Sequence, residues 1–370
     1  MRTILKFPRV NEAGLPETAA LTRLDSQYGF VVKLADAHVS TPSEVAELLS
    51  FWKPDGCIVN NDKVPEAAFA DYPTVFQHRV LTTGNPRHAT ISFDEKAVAE
   101  TAARHLLSLD LASYAYIQPQ AKEYWSQMRE RHFVRILGLN GHGVAVFAPI
   151  RKRLSPPKQL ARLANWLVNL PRPVGVFAAN DAMAATVIDA CDHANLAVPQ
   201  DVAVIGVDND ERICEMTHPT LSSISPDVMT FCDESYRLLA SLISGEAPKN
   251  PNMTVKPSSV VRRASTLRIK KSDTAVLAAC ELIRQRACEG LKARDVAATF
   301  PCGRRMAEIR FRAALGHSIL DEIRTVRRVQ AEMLTGSLRI HLRDEIAARC
   351  GYASWSSVHR LLKEPLATSH

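Results

Sequence analysis

Long hydrophobic runs and paired-cysteine motifs are both absent from the chain. No window approaches about 18 uncharged apolar residues, the length needed to cross a membrane. The first ten residues include three basic ones with no hydrophobic run after them, so a signal peptide is not expected. The eight cysteines form no C-x-x-C pair and no Cys/His set at zinc spacing. We therefore expect a cytoplasmic protein with reduced structural thiols, no bound metal and no membrane partner.

The common catalytic signatures are also missing. The chain contains no Walker loop, no G-x-S-x-G elbow and no histidine-rich cluster. The single G-x-G, at 141–143, lacks the third glycine of a dinucleotide-binding loop. These absences argue against an enzyme and predict no cofactor.

Charge is unevenly distributed along the 370 residues, a length that predicts two or three folding units. Residues 262–370 contain 21 Lys+Arg and 11 Asp+Glu, whereas residues 1–261 contain 25 and 28. A basic C-terminal part on a slightly acidic body indicates a polyanionic partner for that part alone. A basic, solvated surface is the alternative that charge by itself leaves open.

The central stretch 174–210 carries the most informative pattern. Its apolar runs 174–179 and 202–207 predict two buried strands, and helical spacing of apolar residues between them predicts a helix. Strand, helix and strand make a parallel βαβ unit, which binds ligands outside the carboxyl ends of its strands. Polar residues stand at both of these ends, as Asn180-Asp181 and Asp208-Asn209-Asp210.

Alternating strands and helices extend this pattern over the first two thirds of the chain. Residues 1–110 predict strands 3–7, 30–34, 56–60 and 74–77 and helices 16–26, 42–51 and 94–107, with Asp94 capping the last helix. The alternation restarts with strand 113–117, helix 124–137, strand 143–147 and helix 158–169. Two half-sheets predict a two-lobed α/β domain of parallel sheets flanked by helices.

The C-terminal part has a different pattern. Residues 248–257 are rich in turn formers, 259–264 predict a last strand, and 266–272 form a basic connector. Predicted helices follow at 274–286, 292–299, 303–314, 319–334, 342–349 and 354–363. Short turns at 300–302 and 350–353 make two helix-turn-helix units joined by one long helix, so this part is expected to be all α.

Specific motifs give these parts a family resemblance. A-N-D-A-M-A, V-P-Q-D-V-A-V-I-G-V-D-N-D and P-T-L-S-S-I-S-P-D resemble the sugar-sensing domain of lac-repressor and galactose-repressor type regulators, which is similar to periplasmic sugar-binding proteins. A-C-E-G-L-K-A-R-D-V-A-A-T-F, R-F-R-A-A-L-G-H-S-I-L-D-E-I and I-A-A-R-C-G-Y-A-S resemble AraC-type DNA-binding domains. The combination, from about residue 31 to 363, is similar to bacterial xylose-operon activators, a likeness that L-A-R-L-A-N-W-L-V-N-L-P strengthens. It implies a sensor over 1–265, a linker over 266–272 and a DNA-binding domain over 273–370. It also implies that a helix over 226–244 returns to the first lobe and leaves a hinged cleft.

The resemblance implies an effector site in the second lobe. The family pattern has a sugar-facing arginine four residues before an aromatic, matched by Arg129 and Phe133. A guanidinium with several carboxylate or carboxamide groups supplies donors and acceptors to a polyol, while an aromatic face covers its C–H surface. The effector-binding candidates are Trp125, Arg129, Asn180, Asp181 and Asp208.

These candidates have structural alternatives. Trp125 also fits a core aromatic, and Arg129 a surface ion pair. The polar residues Asn180, Asp181 and Asp208 also fit helix caps and turns. In the first lobe, where relatives carry a tyrosine-rich loop, Arg9 and Asn11 are the corresponding candidates.

The resemblance also implies that the second helix of each helix-turn-helix unit enters the major groove of DNA. Arginine there pairs with guanine edges or with phosphates. The DNA-binding candidates are Arg304, Arg305 and Glu308 in the first unit, and Ser356, Ser357, His359 and Arg360 in the second. Ordinary exposed helix charges are the alternative. Gly303 replaces the usual serine cap, and Val358 stands where an aromatic commonly packs.

The sequence as a whole predicts a transcriptional regulator of carbohydrate utilisation genes, controlled by xylose or a related sugar. We expect a homodimer formed through the sensor that binds double-stranded operator DNA, and that contacts RNA polymerase if it is an activator. Alternatives are a sugar-binding protein or enzyme with an appended interaction domain, or a regulator whose sensor has degenerated.

Overall fold

The computed structural model describes residues 2–8, 27–119, 123–148, 154–246, 248, 250–268, 274–315, 317–337 and 343–363. The chain folds as two compact units, Met1–Arg268 and Ile269–His370. Within the described residues, no helix is long and apolar enough to cross a membrane.

The first unit contains two six-stranded sheets. Its strands are β1 (Arg2–Phe7), β2 (Phe30–Leu34), β3 (Gly56–Val59), β4 (Thr74–Gln77), β5 (His88–Phe93), β6 (Ser113–Ile117), β7 (Val144–Phe147), β8 (Val174–Ala178), β9 (Val202–Val207), β10 (Ser222–Pro226), β11 (Asn252–Val255) and β12 (Pro257–Val261). Its helices are α1 (Pro42–Trp52), α2 (Glu95–Leu107), α3 (Tyr124–Leu139), α4 (Pro156–Val168), α5 (Asp181–His193), α6 (Glu211–Met216) and α7 (Val228–Ile243), with 3₁₀ turns at Glu66–Phe69 and Ala264–Thr266.

The first lobe is a parallel sheet in the order β11-β5-β4-β3-β1-β2. Successive strand residues point to opposite faces, and both faces of the central strands are covered, so a strand such as β3 is buried along its whole length. Ile4 packs on one face in the cluster that includes residues of α7, and Leu5 packs on the other in the cluster that includes residues of α1. The predicted return of the 226–244 helix to the first lobe is thereby confirmed.

The second lobe has the order β12-β10-β9-β8-β6-β7, parallel except for the β10–β12 pair. Residues of α4 and α5 cover one face, and residues of α2 and α3 cover the other. The described chain passes between the lobes three times, after β5, after β10 and between β11 and β12. The predicted fold class, two parallel sheets flanked by helices in a periplasmic-binding-protein-like arrangement, is confirmed.

Side-chain caps begin several of these helices. The Thr41 hydroxyl accepts the N–H of Glu44, and the Glu44 carboxylate accepts the N–H of Thr41. These two hydrogen bonds form a capping box. Asp94 caps α2, as predicted, by accepting the N–H of Ala97 at 2.9 Å. Asp227 likewise caps α7 through the N–H of Thr230.

The regular elements of the second unit, within its described residues, are all helices. It consists of α8 (Thr274–Arg286), a 3₁₀ turn (Ala287–Glu289), α9 (Ala293–Ala297), α10 (Arg304–Leu315), α11 (Ile319–Ser337), α12 (Arg343–Arg349) and α13 (Trp355–Lys363). The long α11 contacts every other helix of the unit. Ala331 of α11, with Ile346, Cys350 and Val358, forms the core beneath α12 and α13. Val358 is fully buried there, so valine fills the place where an aromatic was expected.

Several predicted boundaries are wrong. The sequence reading missed β5, β10 and β11, and placed at 259–264 a strand that runs from Pro257 to Val261. The connector predicted over 266–272 begins too early, because Thr266 and Leu267 are buried and Arg268 donates to the carbonyls of Leu109 and Asp110. The helix predicted over 16–26 lies outside the described residues.

Candidate functional site

A small pocket lies where the chain passes between the two lobes of the first unit. Most of its wall is apolar, and its polar residues are Arg129 and Asp208. The lining residues are Phe93, Val98, Arg129, Val207, Asp208, Ile224, Pro226 and Pro257. Three of them stand at the interlobe passages, since Phe93 ends β5, Pro226 ends β10 and Pro257 begins β12. A change in the angle between the lobes would therefore reshape this wall.

Arg129 is held firmly although it is charged and only 5% exposed. Its Nε donates to Glu95 Oε2 at 2.5 Å, and its Nη1 donates to the Ala179 carbonyl at 2.6 Å. Burial acts to lower the pKa of Arg129, but the negative charges of Glu95 and Asp208 outweigh it and raise the pKa. For Glu95, burial is the larger influence and raises the pKa of the carboxyl in spite of Arg129. The guanidinium is thus oriented by contacts within the second lobe.

Trp125 stands one turn before Arg129 on α3. The Arg129 guanidinium lies over the indole at 4.7 Å from the ring centroid, a cation–π contact. Trp125 is partly buried and packs against the core of the second lobe. The structure therefore brings the two predicted residues into contact, and of the two only Arg129 lines the pocket.

Asp208 directly follows β9, and its backbone is unusual. Its φ of 106° lies in the left-handed region, followed by Asn209 at 50°. Such conformations are costly for residues other than glycine and concentrate at functional sites. The Asp208 N–H is bound by the Ile224 carbonyl and the Asn209 N–H by the Ser223 hydroxyl. These bonds hold the Asp208 side chain at the pocket, within electrostatic reach of Arg129.

Asn180 and Asp181 make structural contacts and do not line this pocket, so their effector-binding role stays a prediction. Asn180 caps α5 by accepting the Met183 N–H at 2.9 Å. Asp181 is 1% exposed and points into the second lobe, where it accepts from the Ser223 hydroxyl at 2.6 Å and the Asp210 N–H at 2.9 Å. Burial raises the pKa of Asp181 to about 6, against the opposing effect of these hydrogen bonds.

The close approach of α5 to the sheet explains the position of Asp181. A Cβ added at Gly206 would lie 2.2 Å from Asp181 Oδ1 and 3.1 Å from its Cα. Glycine at 206 therefore lets the first turn of α5 lie directly on β9. That contact fixes the Asp181 carboxylate beside β9 and against Ser223 of β10. Asp181 is therefore not among the residues that line the pocket.

Sequence reasoning missed Glu95 and Phe93. Glu95 stands in the first turn of α2, where an acidic residue is expected merely to complement the helix dipole. Phe93 ends the unrecognised strand β5, although the alternation in H-A-T-I-S-F was a usable signal. Arg9 and Asn11, the first-lobe candidates, lie outside the described residues.

The predicted DNA-binding residues divide into exposed and partly buried groups. Among them, Arg304, Arg305, Ser356, His359 and Arg360 are exposed. Glu308 is half-buried and accepts the Ile319 N–H at 3.4 Å, and Ser357 is half-buried beside the Ser354 hydroxyl at 3.2 Å. Further residues of α10 are exposed, among them Met306, Ile309 and Arg312, and sequence reasoning did not single them out.

Comparison with known proteins finds similarity in both units of the chain. A family model described as a periplasmic binding protein-like domain matches residues 103–266. The xylose operon regulatory protein of Escherichia coli K12 is 27% identical over 330 residues, covering 86% of this chain and 83% of the relative. That of Haemophilus influenzae is 27% identical over 282 residues, covering 75% of this chain and 73% of the relative. The match to the Escherichia coli protein is longer than the first unit, which ends at Arg268. It therefore extends into the second unit.

Solved structures share the fold. A structure described as a xylose-binding transcription activator has a TM-score of 0.61 and 24% identity, covering 100% of this chain and 96% of that one. A dimeric Lac repressor has a TM-score of 0.57 and 22% identity, covering 71% and 98%. The predicted resemblance to xylose-operon regulators is confirmed, and these relatives are regulators of transcription.

Proposed function

We propose that this chain is a transcriptional regulator in which xylose or a related sugar binds between the lobes and controls DNA binding by the helical unit. The observation that carries the proposal is the placement of Arg129 and Asp208 in one pocket at the interlobe passages. The similarity to xylose operon regulators across both units supports it.

The pocket chemistry suits a neutral polyol. A guanidinium has five N–H donors, and those that Glu95 and Ala179 do not use are available to ligand hydroxyls. Asp208 supplies an acceptor, and the Phe93 ring offers an apolar face to sugar C–H groups. Because two carboxylates surround one guanidinium, an acidic or phosphorylated sugar would meet net negative charge.

Sugar binding would stabilise a closed arrangement of the lobes by bridging them. Arg129 and Asp208 belong to the second lobe, and Phe93 to the first. A homodimer formed through the sensor would convert that closure into a change in the separation of two DNA-binding units on operator half-sites. An activator of this kind would act in the cytoplasm and would also contact RNA polymerase.

A ligand screen on the full chain tests the proposal. D-xylose, L-arabinose, D-ribose and D-glucose are compared with glucuronate and glucose 6-phosphate by thermal shift. A ligand at 100 times its dissociation constant stabilises the folded state by about 2.7 kcal/mol. We expect one neutral sugar to raise the melting temperature and to change affinity for a selected DNA duplex.

The outcomes separate this proposal from its rivals. DNA binding without any sugar response would favour a degenerate sensor. Turnover of the stabilising sugar would favour an enzyme with an appended domain. A shift by the acidic sugars alone would contradict the assigned pocket.

A further inference from the structure

Helix α10 presents an apolar patch to solvent. One side of the helix is buried in the unit through Ala307, Phe311 and Leu315. On the opposite side, Arg305, Ile309 and Arg312 are exposed at spacings of four and three residues, which places them on one face. Ile309 is 52% exposed, and Met306 beside this face is 51% exposed.

The charges around this patch indicate its partner. Arg305 and Arg312 are exposed next to Ile309 on this face. The single acidic residue of the helix, Glu308, is half-buried and accepts the Ile319 N–H, so it does not neutralise the exposed side. A basic face with an apolar centre is complementary to a polyanion that also presents apolar groups.

We infer that Ile309 and Met306 contact thymine 5-methyl groups in the major groove, while the flanking arginines pair with phosphates or guanine edges. This inference rests on the proposed DNA-binding function. The thymine methyl is the apolar group that base pairs display in the major groove, and aliphatic side chains contact it. The assignment makes Ile309 and Met306 specificity-determining residues of the first helix-turn-helix unit.

The second helix-turn-helix unit, which contains α13, provides an internal contrast. The exposed side chains of α13 are Ser356, His359, Arg360 and Lys363, all polar. Trp355, the one aromatic apolar side chain of that helix, packs against the core of Ala331 and Val358. A requirement for thymine methyls is therefore expected in the half of the site that α10 contacts.

The test removes single methyl groups from the DNA. A duplex is first selected from a random-sequence library by the full-length protein, and each thymine is then replaced in turn by deoxyuridine. The replacement keeps base pairing and removes only the 5-methyl. Binding is measured for the wild-type protein, Ile309→Ala, Met306→Ala and Leu320→Ala. Leu320 is the matched control, because it is 44% exposed on α11 in the same unit.

At one or two positions, deoxyuridine should weaken wild-type binding by roughly three- to fivefold, the effect of one buried methyl. Ile309→Ala or Met306→Ala should weaken binding to the thymine duplex and abolish the difference at one of these positions, whereas Leu320→Ala should preserve it. Unchanged melting temperatures would show that the variants fold.

Wild-type binding that is insensitive to every replacement, while Arg305→Ala still weakens it, would overturn the inference and leave the proposed function standing. A sensitivity that persists in both alanine variants would also overturn it. Failure to select any duplex, or binding to an acidic protein instead of DNA, would overturn the proposed function together with the inference.

Discussion

Replacing Asp208 tests the proposed effector pocket most directly. Asp208 lines the pocket beside Arg129, and its charge contributes to the raised pKa of that guanidinium. Asparagine is the appropriate replacement, because the Asp208 φ of 106° disfavours alanine, whereas asparagine tolerates positive φ more readily. Asp208→Asn keeps the shape and one carbonyl acceptor, and it removes the negative charge.

The expected cost follows from the lost charge. A hydrogen bond to a charged group contributes about 1.5–3 kcal/mol, against about 0.5–1.5 kcal/mol for a neutral one. Asp208→Asn should therefore weaken sugar binding by about 1–2 kcal/mol, which is about five- to thirtyfold in the dissociation constant. The melting temperature of the unliganded protein should change little, because Asp208 is exposed.

Titration calorimetry with the sugar that stabilises the protein measures this effect. Asp210→Asn is the matched control. Asp210 lies two residues away, caps α6 and pairs with Arg212 at 2.8 Å, but it does not line the pocket. The control should bind sugar within about twofold of the wild type, a change below about 0.4 kcal/mol. Equal affinity in Asp208→Asn, or an equal loss in both variants, would refute the pocket assignment.

Three other predictions concern stability and DNA binding. The pKa of Asp181, about 6 in the fold against 3.8 ordinarily, means that the unfolded chain releases this proton first as pH rises. Stability should fall by about 2 kcal/mol from pH 4 to pH 6, and Asp181→Asn should remove that component of the slope in denaturant titrations. Identical slopes would contradict the buried state of the carboxyl. Gly206→Ala should destabilise the first unit by about 1–3 kcal/mol in urea unfolding, because the added Cβ would overlap Asp181. Gly84→Ala is the control and should not destabilise it, since a Cβ there has nothing within 4 Å. Arg305→Ala should weaken salt-titrated operator binding by about 1–3 kcal/mol. Arg360→Ala should weaken it less, since α10 carries a larger exposed basic and apolar face than α13. A larger loss from Arg360→Ala would reverse the ranking of the two helix-turn-helix units.

Much of the fold follows from patterns that operate over a few residues. Strands β2, β4 and β6 have the predicted bounds, because each has consecutive apolar residues at its centre. The cap at Asp94 was predictable because a capping side chain bonds an N–H only three residues away. Strands β5, β10 and β11 were missed because their runs include polar residues. Pairing with distant strands supplies their backbone hydrogen bonds, and single-sequence patterns do not show which distant segments pair.

The candidate site shows where such reasoning ends. The sequence by itself determined that polar groups follow β8 and β9 at one edge of a parallel sheet, and that a basic all-helical part follows the sensor. Only the tertiary structure decided which aspartate faces the pocket. Gly206 allows α5 to lie so close to β9 that Asp181 is drawn into the interior, and Asp208 is left at the interlobe passages. The tertiary structure also decided that Glu95, 34 residues before Arg129 in the chain, orients the Arg129 guanidinium. Side-chain direction at the end of a strand depends on how closely the neighbouring helix packs, and that distance is set by residues far away in the chain.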